Sequence, residues 1–395
     1  MTQAKRWVAV VVCVLGWVAV GWADGGMFPQ LAGSAESADQ RAIVAFDDGH
    51  QALILQTAYE GDHAEFAWVI PVPDLLGSGD ISTVSADIFD DLYVLTEPSA
   101  YGYYGYNAQF LVGCSSGSQP DEFRTVRVWD TLQVDDYEIA ILSAGQSSDL
   151  EDWLEANGYA FPDGHDSELA YYVNKSWFFV AVKMNPAVER PPSMGGDYGE
   201  GTQEMKPLAL SFDTAEPVYP LRISAVSSKD EVEVLLYVIS RHRMAASNYH
   251  TEEVRLTSPF EGGDFPAYYE EQFRASLAGA GAGSVLVEYA GRVPDYLLNA
   301  HREKLGLPTG EFYVTRLRTY LTQDDMDEDI SIVQAPTDDS FAIRIMGGRP
   351  AQASLRLGGI AALFALVAMT GISPGHRRSL LRTGLMVAVI GLLLI

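Results

Sequence analysis

The sequence predicts an α+β fold: a β-rich extracytoplasmic domain of antiparallel meanders with a few packed helices, followed by a C-terminal transmembrane helical hairpin. Three observations predict it. Short runs rich in Val, Ile, Leu, Phe and Tyr recur between Gly, Asp and Pro punctuation, as strands do. Capped amphipathic segments interrupt these runs, and strands resume after them, which favours α+β over a doubly wound sheet. Both ends of the 395-residue chain are apolar, while the long middle is acidic.

Residues 1–23 have the three parts of a secretory signal. Lys5 and Arg6 precede an apolar run from Trp7 to Val20, and the small residues Gly21 and Ala23 suit a cut after Ala23. The run is about 14 residues, short of the roughly 20 that a spanning helix needs. An uncleaved signal anchor stays open as the alternative. Cys13 lies mid-run behind Val12, which does not fit a lipid-attachment signal.

At the other end, residues 351–395 read as a membrane anchor. Two apolar segments, 357–372 and 380–395, flank a loop, 373–379, that holds Pro374, His376, Arg377 and Arg378. Pro and Gly break the helix there. The excess of basic residues places the loop in the cytoplasm and the large domain on the extracytoplasmic side of the cell membrane, periplasmic or outer. Each segment of about 16 residues spans about 24 Å at ~1.5 Å per residue. Arg356 and Arg382 extend that reach by snorkelling. Residues 353–395 are thus the expected lipid contact. One span plus an interfacial segment, or a processed tail after Gly347-Gly348, stay open as alternatives.

All 53 acidic residues and all but six of the 26 basic ones lie between these ends, so residues 24–350 carry about −33. That charge repels nucleic acid and anionic lipid headgroups. Beyond membrane lipid, the expected partner is an unknown protein or envelope component. Without the signal, Cys114 is the one cysteine left, so no disulfide forms within the chain and the fold rests on its core.

The first half, 24–185, opens with three strand runs at 41–46, 51–59 and 65–72. Asp48-Gly49 favours a tight hairpin between the first two, and Gly61-Asp62 joins the next pair, giving a three-strand meander that Pro71 and Pro73 end. Residues 80–96 are mixed, with a short helix. Strands follow at 123–129 and 136–142. Ser148 and Glu151 form a capping box for a helix that Asn157-Gly158 stops. A second helix covers 167–175, and 176–184 is an apolar strand. Residues 186–201, with Pro191-Pro192 and several glycines, form a linker.

The second half, 202–350, has strands at 206–212, 218–225, 231–239, 312–321 and 340–345. Helices are expected at 265–277 and 295–305. Trp68, Trp129, Trp153 and Trp177 lie in apolar elements and read as core.

Four ordered blocks carry a family resemblance. They are Tyr59-Glu60-Gly61-Asp62 with Glu65-Phe66-Ala67-Trp68-Val69-Ile70-Pro71-Val72-Pro73; Ile141-Leu142-Ser143-Ala144 with Trp153-Leu154-Glu155-Ala156-Asn157-Gly158-Tyr159; Phe178-Phe179-Val180-Ala181-Val182-Lys183; and Glu216-Pro217-Val218-Tyr219-Pro220-Leu221-Arg222. Over most of residues 24–345 the chain resembles the exported bacterial proteins of the domain of unknown function 2330. In that family a Cys-Gly-Gly-Phe-Phe-Cys-like start is common. Here Asp24-Gly25-Gly26-Met27-Phe28-Pro29 stands in its place, so whatever the early cysteines do is absent. The resemblance implies an exported bacterial protein and carries over no catalytic residue.

Chemical motifs are weak. Gly113-Cys114-Ser115-Ser116-Gly117 matches G-x-S-x-G, but Pro120 follows where a nucleophile elbow needs a helix. Cys114 would be a nucleophile if a histidine such as His63 or His165 lowered its pKa, which gives an envelope enzyme as one alternative function. The segment from Tyr101 to Tyr106, with Tyr103 and Tyr104, gives a glycan- or peptide-binding module as another. Asp324, Asp325, Asp327, Glu328 and Asp329 resemble the start of a calcium loop, but Ile330 and Pro336 stand where its glycine and glutamate belong; a solvated turn is expected. No catalytic, cofactor or metal site is assigned. The leading expectation is a membrane-tethered extracytoplasmic domain with a binding or envelope-structural role.

Overall fold

The computed structural model describes residues 26–29, 36–37, 40–60, 66–100, 126–162, 164–184, 203–228 and 231–345. The signal, the linker and both C-terminal apolar segments lie outside the described residues. All strands and helices below belong to one compact unit.

In chain order, β1 (Gly26–Pro29) is followed by β2 (Gln40–Asp47) and β3 (His50–Gln56), then β4 (Phe66–Val72), β5 (Ile81–Thr83) and α1 (Asp87–Thr96). Next come β6 (Arg127–Val134), β7 (Tyr137–Ser143), α2 (Ser147–Ala156), α3 (Asp166–Asn174) and β8 (Phe178–Met184). The rest are β9 (Leu208–Asp213), β10 (Val232–Ser240), β11 (Met244–Ala246), β12 (Thr251–Glu253), α4 (Phe265–Ala280), β13 (Val285–Arg292), α5 (Asp295–His301), β14 (Tyr313–Leu321) and β15 (Ile330–Gln334).

A large sheet runs β12-β13-β14-β10-β2-β3-β9-β5, with Phe341–Ala342 added beside β13. A five-stranded sheet runs β1-β4-β8-β7-β6. Alternate residues point to opposite faces of a strand, and the core divides accordingly. Ala42, Val44, Leu236 and Leu317 of the large sheet share one cluster with Trp68, Ile70, Ile139 and Val180 of the smaller sheet. The residues between them face outward. Ile43, Ile54 and Tyr237 pack with Phe89 and Leu92 of α1 and Leu297 and Leu298 of α5. Val69, Leu142 and Phe179 pack with Leu150 and Leu154 of α2 and Leu169 and Tyr172 of α3. Helices therefore cover the outer faces of two packed sheets. That is why β2 reads as a continuous apolar run: both of its faces are buried. Each fully buried large side chain, Trp68 among them, contributes roughly 1.5–3 kcal/mol.

The Asp48-Gly49 hairpin forms as expected, with Asp47 opposite His50. Asp48 and Gly49 both have positive φ, 48° and 83°, the twist a two-residue turn needs. The meander stops there. β4 joins the smaller sheet between β1 and β8 rather than pairing with β3, because a run buried on both faces fits the centre of either sheet. Pro71 does not end β4. It sits inside the strand, opposite Phe179 of β8. The sheets are also not wholly antiparallel: β2 runs parallel to β10, and β12 to β13.

Other boundaries differ too. The cap of α2 is Gln146, whose amide donates to Asp149 Oδ2 at 3.2 Å; Ser148 already lies inside the helix. Gly158, at φ 89°, ends it. The 218–225 run is a short bridge, Val218–Tyr219, and then a 3-10 turn, Arg222–Val226, because Pro220 breaks the ladder. The 340–345 run is two short bridges, at Phe341–Ala342 and Arg344–Ile345. Strand β13 is an element that the sequence patterning does not mark. Trp129 is 37% exposed on the edge strand β6, under the Arg127 guanidinium at 3.4 Å. No described helix is long and apolar enough to cross a membrane.

Candidate functional site

Cys114, His63 and the tyrosines from Tyr101 to Tyr106 lie outside the described residues. His165 sits at the start of α3, with Nδ1 3.7 Å from Glu168 and Nε2 3.4 Å from Gln323 Nε2. The acidic run is not one solvated turn. Asp325 accepts from the Thr322 amide and hydroxyl at 2.9 and 2.6 Å, whereas Asp329 is buried. Among the described residues no group of His, Cys, Asp and Glu is placed to hold a metal.

A half-open cleft of about 280 Å³ lies where β11 and β12 diverge. Met244 of β11, Thr251 and Glu253 of β12, Val287 of β13, Arg243 and Asp339 are among its lining residues. Arg243 braces it: Nη2 donates to Glu253 at 2.9 Å, Nη1 to the Asp339 carbonyl at 2.9 Å, and its amide to Asp338 at 2.9 Å. The His242 ring beside Asp338, and then the Arg243 amide, hold that carboxyl below its usual range.

β12 ends the large sheet, and among the described residues no strand pairs with its outer edge. Val285 donates to the His250 carbonyl, and Val254 to that of Val287. In this parallel ladder the alternate residue, Glu252, bonds inward, so the backbone groups of Thr251 and Glu253 point away from β13. The chain leaving β12 is clamped to α4. Gln272 Oε1 accepts from the amides of Thr257 and Ser258 and the Thr257 hydroxyl, and Ser276 Oγ from the Arg255 amide. The ladder between β13 and β14 slips between Val287 and Tyr289, leaving Glu288 as an extra residue. Such bulges re-aim side chains beside functional sites.

On the opposite face of the sheet from Val287, Glu288 is fully buried beside Arg316 and Arg318 of β14. Arg316 Nε lies 2.6 Å from Glu288 Oε2, and the Tyr269 hydroxyl donates to Oε1 at 2.7 Å. Arg318 bonds Glu233 at 2.6 Å and Glu270 at 2.7 Å. Burial opposes ionisation of Glu233, and the Arg318 guanidinium overcomes it, leaving the carboxyl below its ordinary range. This network bonds α4 to the sheet and ties β13 to β14 and β10 behind the cleft.

A second polar arrangement lies on the outer face near the hairpin turn. His50 Nε2 is 2.8 Å from Ser211 Oγ, and its Nδ1 is 2.9 Å from Asp213 Oδ1. Ser211 and Asp213 are two apart on β9, and Asp213 is the register partner of His50, so the pairing brings the three together. Their order is that of a nucleophile, a base and an orienting carboxylate. Asp213 is 81% exposed, so water screens its hold on the ring. Sequence reasoning missed this set because it spans two strands 161 residues apart. It missed the Arg316-x-Arg318 alternation too, which, facing the Tyr269-Glu270 pair of a predicted helix, was the available signal.

A family model described as an uncharacterized protein conserved in bacteria (DUF2330) matches residues 18–333. No curated protein and no solved structure matches the chain.

Proposed function

The chain belongs to that bacterial family, DUF2330, and from this premise we propose that it is a membrane-tethered extracytoplasmic binding domain that takes its partner in the cleft between β11 and β12. The cleft carries this reading. It is open to solvent, its rim is braced by the Arg243 pairs, and it is lined by β12, the end strand of the large sheet among the described residues. The cationic start with its apolar run, and the basic loop between apolar segments at the end, support export and anchorage. The −33 charge keeps the domain apart from nucleic acid and anionic lipid.

Two measurements on the full-length protein in its own cells test the reading. Cysteine at the exposed Tyr296 (72% exposed) should react with a membrane-impermeant maleimide once the outer envelope is permeable, and the protein should stay in the alkali-washed membrane fraction. A photo-crosslinking residue at Thr337 should give a defined adduct that Thr251→Trp, which fills the cleft, abolishes. Recovery in the cytosol defeats the tether, and an adduct indifferent to Thr251→Trp defeats the cleft.

The Ser211–His50–Asp213 contacts favour a second reading, an envelope hydrolase acting on esters. A fluorophosphonate probe should then label the wild type and neither Ser211→Ala nor His50→Gln. Equal labelling of all three, or of none, removes that reading.

A further inference from the structure

We infer that the cleft recognises an extended, basic polypeptide segment, which adds as a strand to the open edge of β12 and sets a Lys or Arg side chain against the acidic rim. The inference rests on the cleft reading above and names the chemistry of the occupant.

The outward backbone groups of Thr251 and Glu253 form the open edge of a parallel pair. A polypeptide in extended form supplies donors and acceptors at matching spacing. A sugar or a small metabolite does not repeat at that spacing. The side-chain charge decides the second half. Glu252, Glu253 and Asp339 line the cleft with Arg243, and with Arg255 beside Glu252 one negative charge is left in excess. Glu252, 20% exposed, is already bonded to Arg255 at 2.6 Å, and Glu253, 46% exposed, to the mostly covered Arg243 at 2.9 Å. The Glu253 carboxylate is the more open of the two, and it takes an incoming cation beside Arg243 rather than in its place. The charge of the whole domain steers a cationic segment toward it and an acidic one away.

A volume of about 280 Å³ holds one or two side chains, not a folded surface. The paired stretch is three residues of β12. Backbone pairing therefore supplies orientation, and the acidic rim supplies selection.

The test uses full-length protein in detergent micelles and eight-residue probe peptides. A peptide alternating lysine and valine should bind at least tenfold more tightly than one alternating glutamate and valine. N-methylation of alternate amides keeps every charge but blocks strand pairing, and should weaken binding tenfold or more. Glu252→Gln with Glu253→Gln should weaken the lysine peptide about tenfold and leave the fold intact by circular dichroism. Equal binding of the methylated peptide reduces the effect to general attraction to an acidic protein and overturns the inference. So does indifference to the double substitution. Loss of the in-cell crosslink in Thr251→Trp, together with no preference for the lysine peptide, sinks the basic-strand inference alone; an unaffected crosslink sinks the cleft itself.

Discussion

Tyr172 and Asp329, 157 residues apart in sequence, meet in the interior, where the hydroxyl donates to Asp329 Oδ1 at 2.5 Å. The same oxygen accepts from the Arg222 amide at 3.2 Å, and the Tyr172 hydroxyl oxygen accepts from the Ile223 amide at 3.1 Å. One aromatic side chain thus ties α3 to the Arg222–Val226 turn and to the acidic loop. Burial pushes the Asp329 carboxyl up to about 6, although these two hydrogen bonds and Lys175, 3.8 Å away, favour its ionised form.

Tyr172→Phe tests the tie. The ring stays, so packing is preserved, but the buried Asp329 loses a donor and the Ile223 amide its acceptor. Stranding a buried polar group costs about 1–3 kcal/mol. Urea denaturation should show a loss in that range. A change within measurement scatter would mean that water reaches both groups.

Glu151 gives a pH dependence. Burial, and then its hydrogen bond to Asp166, pushes its carboxyl from 4.5 up to about 7. A raised acid binds its proton more tightly in the folded state. Its contribution to stability is therefore fully present below about pH 4.5 and lost as pH rises through about 7. Asp329 acts with the same sign between 3.8 and about 6. Glu151→Gln keeps a neutral donor at every pH. Its melting temperature should match the wild type near pH 4.5 and exceed it near pH 8. Parallel curves at both pH values would show that Glu151 ionises freely in the fold.

The hairpin turn isolates a backbone effect. A Cβ at Gly49 would meet only the Thr214 carbonyl, at an ordinary 3.8 Å, so Gly49→Ala meets no clash. The φ of 83° remains, and a left-handed conformation costs an L-residue roughly 1–2 kcal/mol. Thermal unfolding should report a loss of about that size, and none if the turn relaxes to another type.

Local chemistry was legible in the sequence, and partnership was not. Asp48-Gly49 and Asn157-Gly158 act through neighbours along the chain and fall where expected, and the strand expected at 206–212 forms at 208–213. β4 shows the limit: a segment apolar on both faces fits either sheet, and only the completed core decides. β13 shows another. Its bulge shifts the alternation at Glu288, and a buried glutamate reads as a solvent-facing position until Arg316 is known to lie against it. The cleft has no sequence signature, because its walls come from β11, β12, β13 and the chain near Asp339. Ser211, His50 and Asp213 were unreadable for a related reason: the β3–β9 register creates their geometry.

The pair Glu288 and Arg316 gives the sharpest energetic test. Both side chains are almost wholly buried, and each charge depends on the other. Arg316→Met leaves Glu288 with Arg318 at 3.6 Å and the Tyr269 hydroxyl. The remaining charge keeps some compensation, so the loss should be near about 3 kcal/mol, the low end for breaking a buried pair. Glu288→Gln instead leaves the buried Arg316 charge beside a neutral amide and a distant contact to Thr96 at 3.4 Å, and the cost should rise toward about 5 kcal/mol. The double variant removes both charges while the Gln carbonyl can still accept from Tyr269. It should therefore be more stable than the sum of the single losses predicts, by about 1–3 kcal/mol. Strict additivity in urea denaturation would mean that water already screens the pair. A recovery of that size would mean that Arg316 and Glu288 interact directly and that each charge is held in place by the other.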